Sequence, residues 1–185
     1  MEDYVKSAVI FGGTGFIGSF FSKYLLDSQI VDKVFLVDME SFEEKKIKYR
    51  SKLLQDKNVS FVKGDVRESL DWLNINNVHL ICNFAAIHRE PGHMHQEYFE
   101  TNIKGAINVC TWSEKVSCKN IIFSSSISPY GNSKDKKDEK SLPMPTSPYG
   151  ISKLVAEKIH ESWFSKDSKS RKLIIARPGV VFGPG

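Results

Sequence analysis

The stretch VIFGGTGFIGS, Val9–Ser19, sets Gly12, Gly15 and Gly18 three residues apart, between an apolar run and a segment of helical period. A turn this tight from strand to helix favours residues without a Cβ, and it lets the backbone approach a pyrophosphate closely. The helix that follows would point its free N–H groups and the positive end of its dipole at that anion. A glycine pattern alone is compatible with a plain tight turn. Its place between a strand and a helix near the N-terminus is the context that a dinucleotide-binding fingerprint requires.

Moving outward, short apolar runs recur at Ala8–Phe11, Val34–Val37, Val59–Val62, Leu80–Phe84, Ile121–Phe123 and Leu173–Ala176. Each run is followed by Gly, Asp, Asn or Ser, the usual residues of strand exits. Between them lie helical periods: Phe16/Phe20/Tyr24 with Ile17/Phe21/Leu25, then Phe99, Ile103, Ala106, Ile107 and Cys110, then Ile151, Val155 and Ile159. Each set predicts a helix packed by its apolar stripe. Strand runs without polar alternation are buried on both faces, which means a parallel sheet covered by helices. The expected fold is therefore α/β, a Rossmann-type doubly wound parallel sheet in the order 3-2-1-4-5-6, with residues 1–185 forming one dinucleotide-binding domain.

Composition narrows the function class. The 185 residues are 41% hydrophobic and 26% charged, with a net charge of +4. Basic residues are interspersed with acidic ones, so no nucleic-acid or membrane footprint is expected. No apolar run is long enough to span a bilayer, and the acidic start "MEDYVKSAVIFGG" does not read as a signal peptide. Cys82, Cys110 and Cys118 lack CxxC spacing and read as reduced, buried thiols of a cytoplasmic protein. The run Ser133–Lys140, SKDKKDEK, reads as a solvated loop.

Two further features carry chemistry. Asp38 ends the second strand 20 residues after Gly18, the distance at which a carboxylate reaches adenosine ribose hydroxyls. With no adjacent arginine to offset it, that charge would repel a 2′-phosphate, which favours NAD over NADP. In SPYGISK, Ser147–Lys153, Ser147 is a good N-cap and Pro148 suits the first helical position. The helix then places Tyr149 and Lys153 on one face, where an ammonium favours the phenolate form of a phenol whose ordinary pKa is about 10.

Taken together, GGTGFIGS, VDM, GDVRE, NFAA (Asn83–Ala86), ETNIKGAINV (Glu100–Val109), FSSS, YG at Tyr130–Gly131, PYGISK and ARPGVVFGPG resemble the extended short-chain dehydrogenase/reductases, the NAD-dependent nucleotide-sugar epimerases and dehydratases. The resemblance covers nearly the whole chain. It implies that the loop from Gly12 through Gly15, Phe16 and Ile17 to Gly18 holds the pyrophosphate and Asp38 the ribose. It also implies Asp65 and Val66 at the adenine, although Asp65 by itself reads as a turn residue. Ala85 and Ala86 would line the cofactor, Asn102 would brace that region, and Ser126, Tyr149 and Lys153 would be catalytic. The last two would also contact NAD, and the substrate would be a nucleotide-sugar.

Departures from the family pattern refine this. Ile127 and Ser128 follow Ser126 where the dehydratases carry an acid/base pair of carboxylates, so a 4,6-dehydratase is disfavoured. Pro129 stiffens that loop, and Val180 stands at a position commonly Asn. His88, His93 and His95 gather after the fourth strand without an evident fourth ligand, so they read as substrate-facing or solvated and no metal is expected. The resemblance also implies a C-terminal substrate portion beyond RPGVVFGPG, absent from these 185 residues. Two functions stay open: an epimerase or reductase, or a non-catalytic NAD-binding module or part of a split enzyme completed by a C-terminal chain. A homodimer through the segments around Phe99–Cys110 and Ile151–Trp163 is implied by family only.

Overall fold

A computed structural model describes residues 5–53, 55–88 and 92–184. Expectations that fall on Met1–Tyr4, on positions 89–91 or on Gly185 lie outside the described residues. The strands are β1 (Ser7–Phe11), β2 (Lys33–Asp38), β3 (Val59–Lys63), β4 (Val78–Asn83), β5 (Asn120–Ser124) and β6 (Lys172–Ala176). The helices are α1 (Phe16–Asp27), α2 (Lys48–Leu53), α3 (His95–Tyr98), α4 (Gly105–Lys115) and α5 (Pro148–Ser165). All strand pairs are parallel, in the order β3-β2-β1-β4-β5-β6 that the apolar runs predict.

The central strand β1 shows why both faces need cover. Ala8 and Ile10 enter one core with Leu25, Val34 and Leu36, while Val9 and Phe11 enter the other with Ile81, Val109 and Trp112. Each fully buried aliphatic or aromatic side chain contributes about 1.5–3 kcal/mol by removal from water. Between β3 and β4 no helix occurs among the described residues. Turns carry Leu70, Leu73 and Ile75 into the core instead, and Trp112 Nε1 donates to the Leu73 carbonyl at 3.1 Å. Among the described residues no helix is long and apolar enough to cross a membrane.

The helices do not bury the faces that periodicity predicts. In α1 the buried residues are Gly18, Ser19, Ser22 and Leu25, while Tyr24 is exposed. The glycine turn draws this helix so close to the sheet that small side chains must face it. The segment expected as one helix from Phe99 begins as a π-helical turn, Phe99–Lys104, which rotates the register and buries Asn102, Ala106, Val109 and Cys110. Phe99 and Ile107 are left exposed. The reversal is largest in α5, where Ile151 and Val155 face outward and the buried side includes Lys153, Glu157 and His160.

Cys82, Cys110 and Cys118 are buried free thiols, and burial pushes the Cys110 and Cys118 thiols up to about 12 and 11. The run Ser133–Lys140 is an exposed loop, as its composition implies.

Candidate active site

The C-terminal ends of the strands open into a cleft of about 770 Å³. It lies where the strand order reverses between β1 and β4, the usual ligand crevice of such sheets. Its walls include Gly12, Gly15, Phe16, Ile17, Gly18, Asp38, Asp65, Val66, Ala85, Ala86, Ser126, Tyr149 and Lys153. Residues more than a hundred positions apart in sequence thus meet at one site.

The glycine turn is a cradle that side chains would fill. Gly12 has φ +75°, and a Cβ there would lie 2.7 Å from the Ala85 nitrogen at the β4 exit. A Cβ on Gly18 would lie 2.4 Å from the Gly12 carbonyl. Gly15 caps α1 without any side-chain hydrogen bond to its first turn. The open amides of a 12-residue helix therefore face the cleft, a fit for a pyrophosphate.

At the end of the cleft beside β2, Asp38 accepts from Thr14 N at 3.2 Å, Met39 N at 2.9 Å and Lys45 Nζ at 2.9 Å. Lys45 also donates to Thr14 Oγ1 at 2.6 Å. Arg50, mostly buried, donates to the Thr14 carbonyl at 3.1 Å and feels the charge of Asp38. No arginine is adjacent to Asp38 in sequence, yet the fold pairs its carboxylate with Lys45 and sets Arg50 on the Thr14 carbonyl nearby. The loop after β2 folds back and delivers both cations from positions 7 and 12 residues downstream. Nothing in the charged run EEKKIKYR marks either one in advance.

Asp65 is held by Arg67, whose Nη2 donates at 2.6 Å and whose backbone N–H donates at 2.9 Å. The guanidinium hydrogen bonds hold its carboxyl below the usual range. Asp65 is thus a turn residue, as it reads in isolation, and also a wall of the cleft; Arg67 is a wall that sequence reasoning missed.

At the other end, Ser147 Oγ accepts from Gly150 N at 3.2 Å and Pro148 opens α5, as the sequence implies. Tyr149 enters the cleft with its ring 6.1 Å from that of Tyr98. Lys153 is 2% exposed and donates to the Ser124 carbonyl at 2.5 Å, with its ammonium 4.5 Å from the Phe123 ring centre. Burial pushes its pKa down to about 7, and Glu157, one turn further along, opposes that shift. Ser126 Oγ accepts from Ser128 N and donates to Ser128 Oγ, both at 3.1 Å.

Beneath this set runs a polar layer that the sequence reading did not single out. Glu157 is fully buried and accepts from Ser125 Oγ at 2.5 Å and from Arg177 Nε at 2.8 Å and Nη2 at 2.5 Å. His160 donates from Nδ1 to the Ala156 carbonyl at 2.7 Å, which leaves Nε2 to accept from Asn83 Nδ2 at 3.4 Å. Burial lowers its pKa to about 4. The spacing of Lys153, Glu157 and His160 places all three on one helix face, and that was the available signal.

Asn102 braces the β4 exit. It accepts from Ile87 N at 3.0 Å, and its amide donates to the Ile87 carbonyl and to Ser152 Oγ. Of the histidines, His88 lines the cleft, while His93 lies 3.5 Å from Glu97 and His95 begins α3. Among the described residues no group of three His, Cys, Asp or Glu side chains is assembled to hold a metal.

Comparison with known proteins agrees with this geometry. The chain is 31% identical over 179 residues to N-acetyl-alpha-D-glucosaminyl-diphospho-ditrans,octacis-undecaprenol 4-epimerase of Escherichia coli O157:H7, covering 96% of this chain and 49% of that protein. It is 28% identical to UDP-glucose 4-epimerase of Bacillus subtilis, covering 87% of this chain and 49% of the relative. The chain thus spans about half the length of these curated relatives. Among solved structures, UDP-glucuronic acid 4-epimerase from Bacillus cereus in complex with NAD superposes with a TM-score of 0.79 at 23% identity, over 96% of this chain and 58% of the other. That likeness shows a shared fold. Residues 8–185 match the NAD dependent epimerase/dehydratase family, and the chain belongs to it.

Proposed function

We propose that this chain binds NAD in the cleft and carries the catalytic set of a cytoplasmic epimerase-type enzyme for a nucleotide-activated sugar. The observation that carries the proposal is the convergence of the glycine cradle with Ser126, Tyr149 and Lys153 on one crevice. In this reading residues 1–185 are one cofactor-binding domain. Gly12–Gly18 and the first amides of α1 hold the pyrophosphate, Asp38 the adenosine ribose, and Asp65 with Val66 the adenine. Ala85 and Ala86 flank the nicotinamide half, beside Tyr149 and Lys153.

Bound there, NAD supplies a hydride acceptor. Tyr149 takes the proton of a sugar hydroxyl, Ser126 orients that oxygen, and the Lys153 ammonium favours the phenolate. Ile127 and Ser128 put no carboxylate next to Ser126, which supports epimerase or reductase chemistry over water elimination. The UDP-sugar 4-epimerases among the relatives support the same substrate class.

NAD added in hundredfold excess over its Kd should stabilise the chain by about 2.7 kcal/mol, a midpoint rise of several degrees in a thermal-shift assay. NADP should raise it less, because Asp38 remains beside the 2′ position. Incubation with NAD and UDP-, GDP- or TDP-sugars then tests for turnover.

A second reading has an observation of its own. The chain spans about half the length of its relatives; among the described residues β6 has an unpaired edge with Ile174 exposed, and Val180 and Phe182 are exposed in the segment that follows it. That surface suits a complementing C-terminal chain, with this one as the NAD-binding part. NAD binding without turnover on any of these sugars would put this reading ahead.

A homodimer through α4 and α5 is supported by the groove of about 330 Å³ between them, lined by Ile107, Val155 and Ile159. It displays Val155, which α5 turns away from its own core, beside the exposed Ile107 of α4. Sedimentation should show a dimer that Ile107→Glu converts to monomer; a monomeric parent protein would sink this proposal.

A further inference from the structure

Two cations, Lys45 and Arg50, stand around Asp38 at the adenosine end of the cleft, and the chemistry of Lys45 is the more specific. Its ammonium has three N–H groups. One goes to Asp38 Oδ1 at 2.9 Å and a second to Thr14 Oγ1 at 2.6 Å. Lys45 is also a wall of the cleft, and its side chain is 23% exposed. The third N–H therefore has the cleft as its accessible side.

Asp38 is correspondingly changed as a gatekeeper. Its carboxylate already accepts from Thr14, Met39 and Lys45, and its charge is paired. Behind it stands Arg50, 9% exposed, donating to the Thr14 carbonyl while its Nε has no hydrogen-bond partner among the described residues. A carboxylate alone beside a ribose repels a 2′-phosphate; one paired with a lysine and backed by a buried arginine repels it far less.

We propose that Lys45 sets cofactor selectivity in this site: paired with Asp38 and backed by Arg50, it forms a subsite that tolerates a phosphomonoester at the adenosine 2′ position. NAD remains the preferred ligand because the carboxylate still accepts from the ribose hydroxyls. The margin over NADP is small, and Lys45 is what keeps it small. This inference rests on the assignment of the cleft to NAD.

The test is calorimetric titration of the chain with NAD and with NADP at fixed ionic strength, for the parent protein, Lys45→Met and Lys45→Arg. The ratio of the NADP Kd to the NAD Kd should be within about tenfold in the parent, following from the paired charge. It should rise by a further factor of about ten in Lys45→Met and stay within about threefold of the parent in Lys45→Arg. Thermal midpoints of the three proteins establish that each is folded. An unchanged ratio in Lys45→Met, alongside clear NAD binding, overturns the role of Lys45 and leaves the NAD assignment standing. Absence of NAD binding by the folded parent protein overturns both.

Discussion

Tyr149→Phe is expected to lower turnover on a nucleotide-sugar by a factor of about 10²–10⁴, the usual worth of one positioned acid or base. The substitution removes only the phenolic oxygen. The ring at the head of α5 is kept, together with its packing 6.1 Å from Tyr98 and the start of the helix at Ser147 and Pro148. A loss of rate therefore reports proton transfer rather than collapse of the site. NAD-induced thermal stabilisation, still measurable in the variant, separates lost chemistry from lost cofactor. Turnover equal to that of the parent would remove Tyr149 from the reaction and with it the central assignment of the site.

The second large effect is on stability and depends on pH. Lys153 has a folded pKa of about 7 against an ordinary 10.5, because burial disfavours its charge. Between those values the unfolded chain binds the proton more tightly than the native one. Stability therefore rises with pH across that window and falls as pH drops from about 10.5 to about 7. Lys153→Met removes this dependence. Relative to the parent, the variant without cofactor should gain roughly 4 kcal/mol over that fall in pH, or roughly 10 °C in midpoint. Loss of the bond to the Ser124 carbonyl costs the variant a pH-independent amount, so the difference between the two curves isolates the ammonium. His160, with a pKa lowered to about 4, contributes its own slope only at more acid pH. Parallel curves for parent and variant would show that the Lys153 ammonium is not penalised by burial.

These experiments probe a helix whose buried face the sequence misrepresents. Ile151, Val155 and Ile159 form the apolar stripe of α5, and by hydrophobic period alone they should point inward. Ile151 and Val155 are exposed instead, only Ile159 keeps contact with the core, and the helix buries Lys153, Glu157 and His160. Their burial is compensated by partners from elsewhere in the chain: Ser124, Ser125, Arg177 and Asn83. Periodicity misleads here because it weighs side chains by solvent preference, whereas these three are held inside by hydrogen bonds and an ion pair. The same limit applies to α1, where close approach of the glycine turn selects small residues for the sheet side.

The sequence alone determined the sheet and the identity of most of the crevice. The six apolar runs, the glycine spacing, Asp38 after the second run and the Tyr149–Lys153 interval are local patterns, and backbone geometry makes each of them readable. The tertiary structure alone decided which charges stand beside them. Lys45 comes to Asp38, Arg50 to the Thr14 carbonyl, Arg177 to Glu157, and Lys153 turns to the Ser124 carbonyl, all through loop paths and strand order. Electrostatics depends on distance in space rather than in sequence, so the charges that surround Asp38 and Lys153 became visible only once the chain was folded.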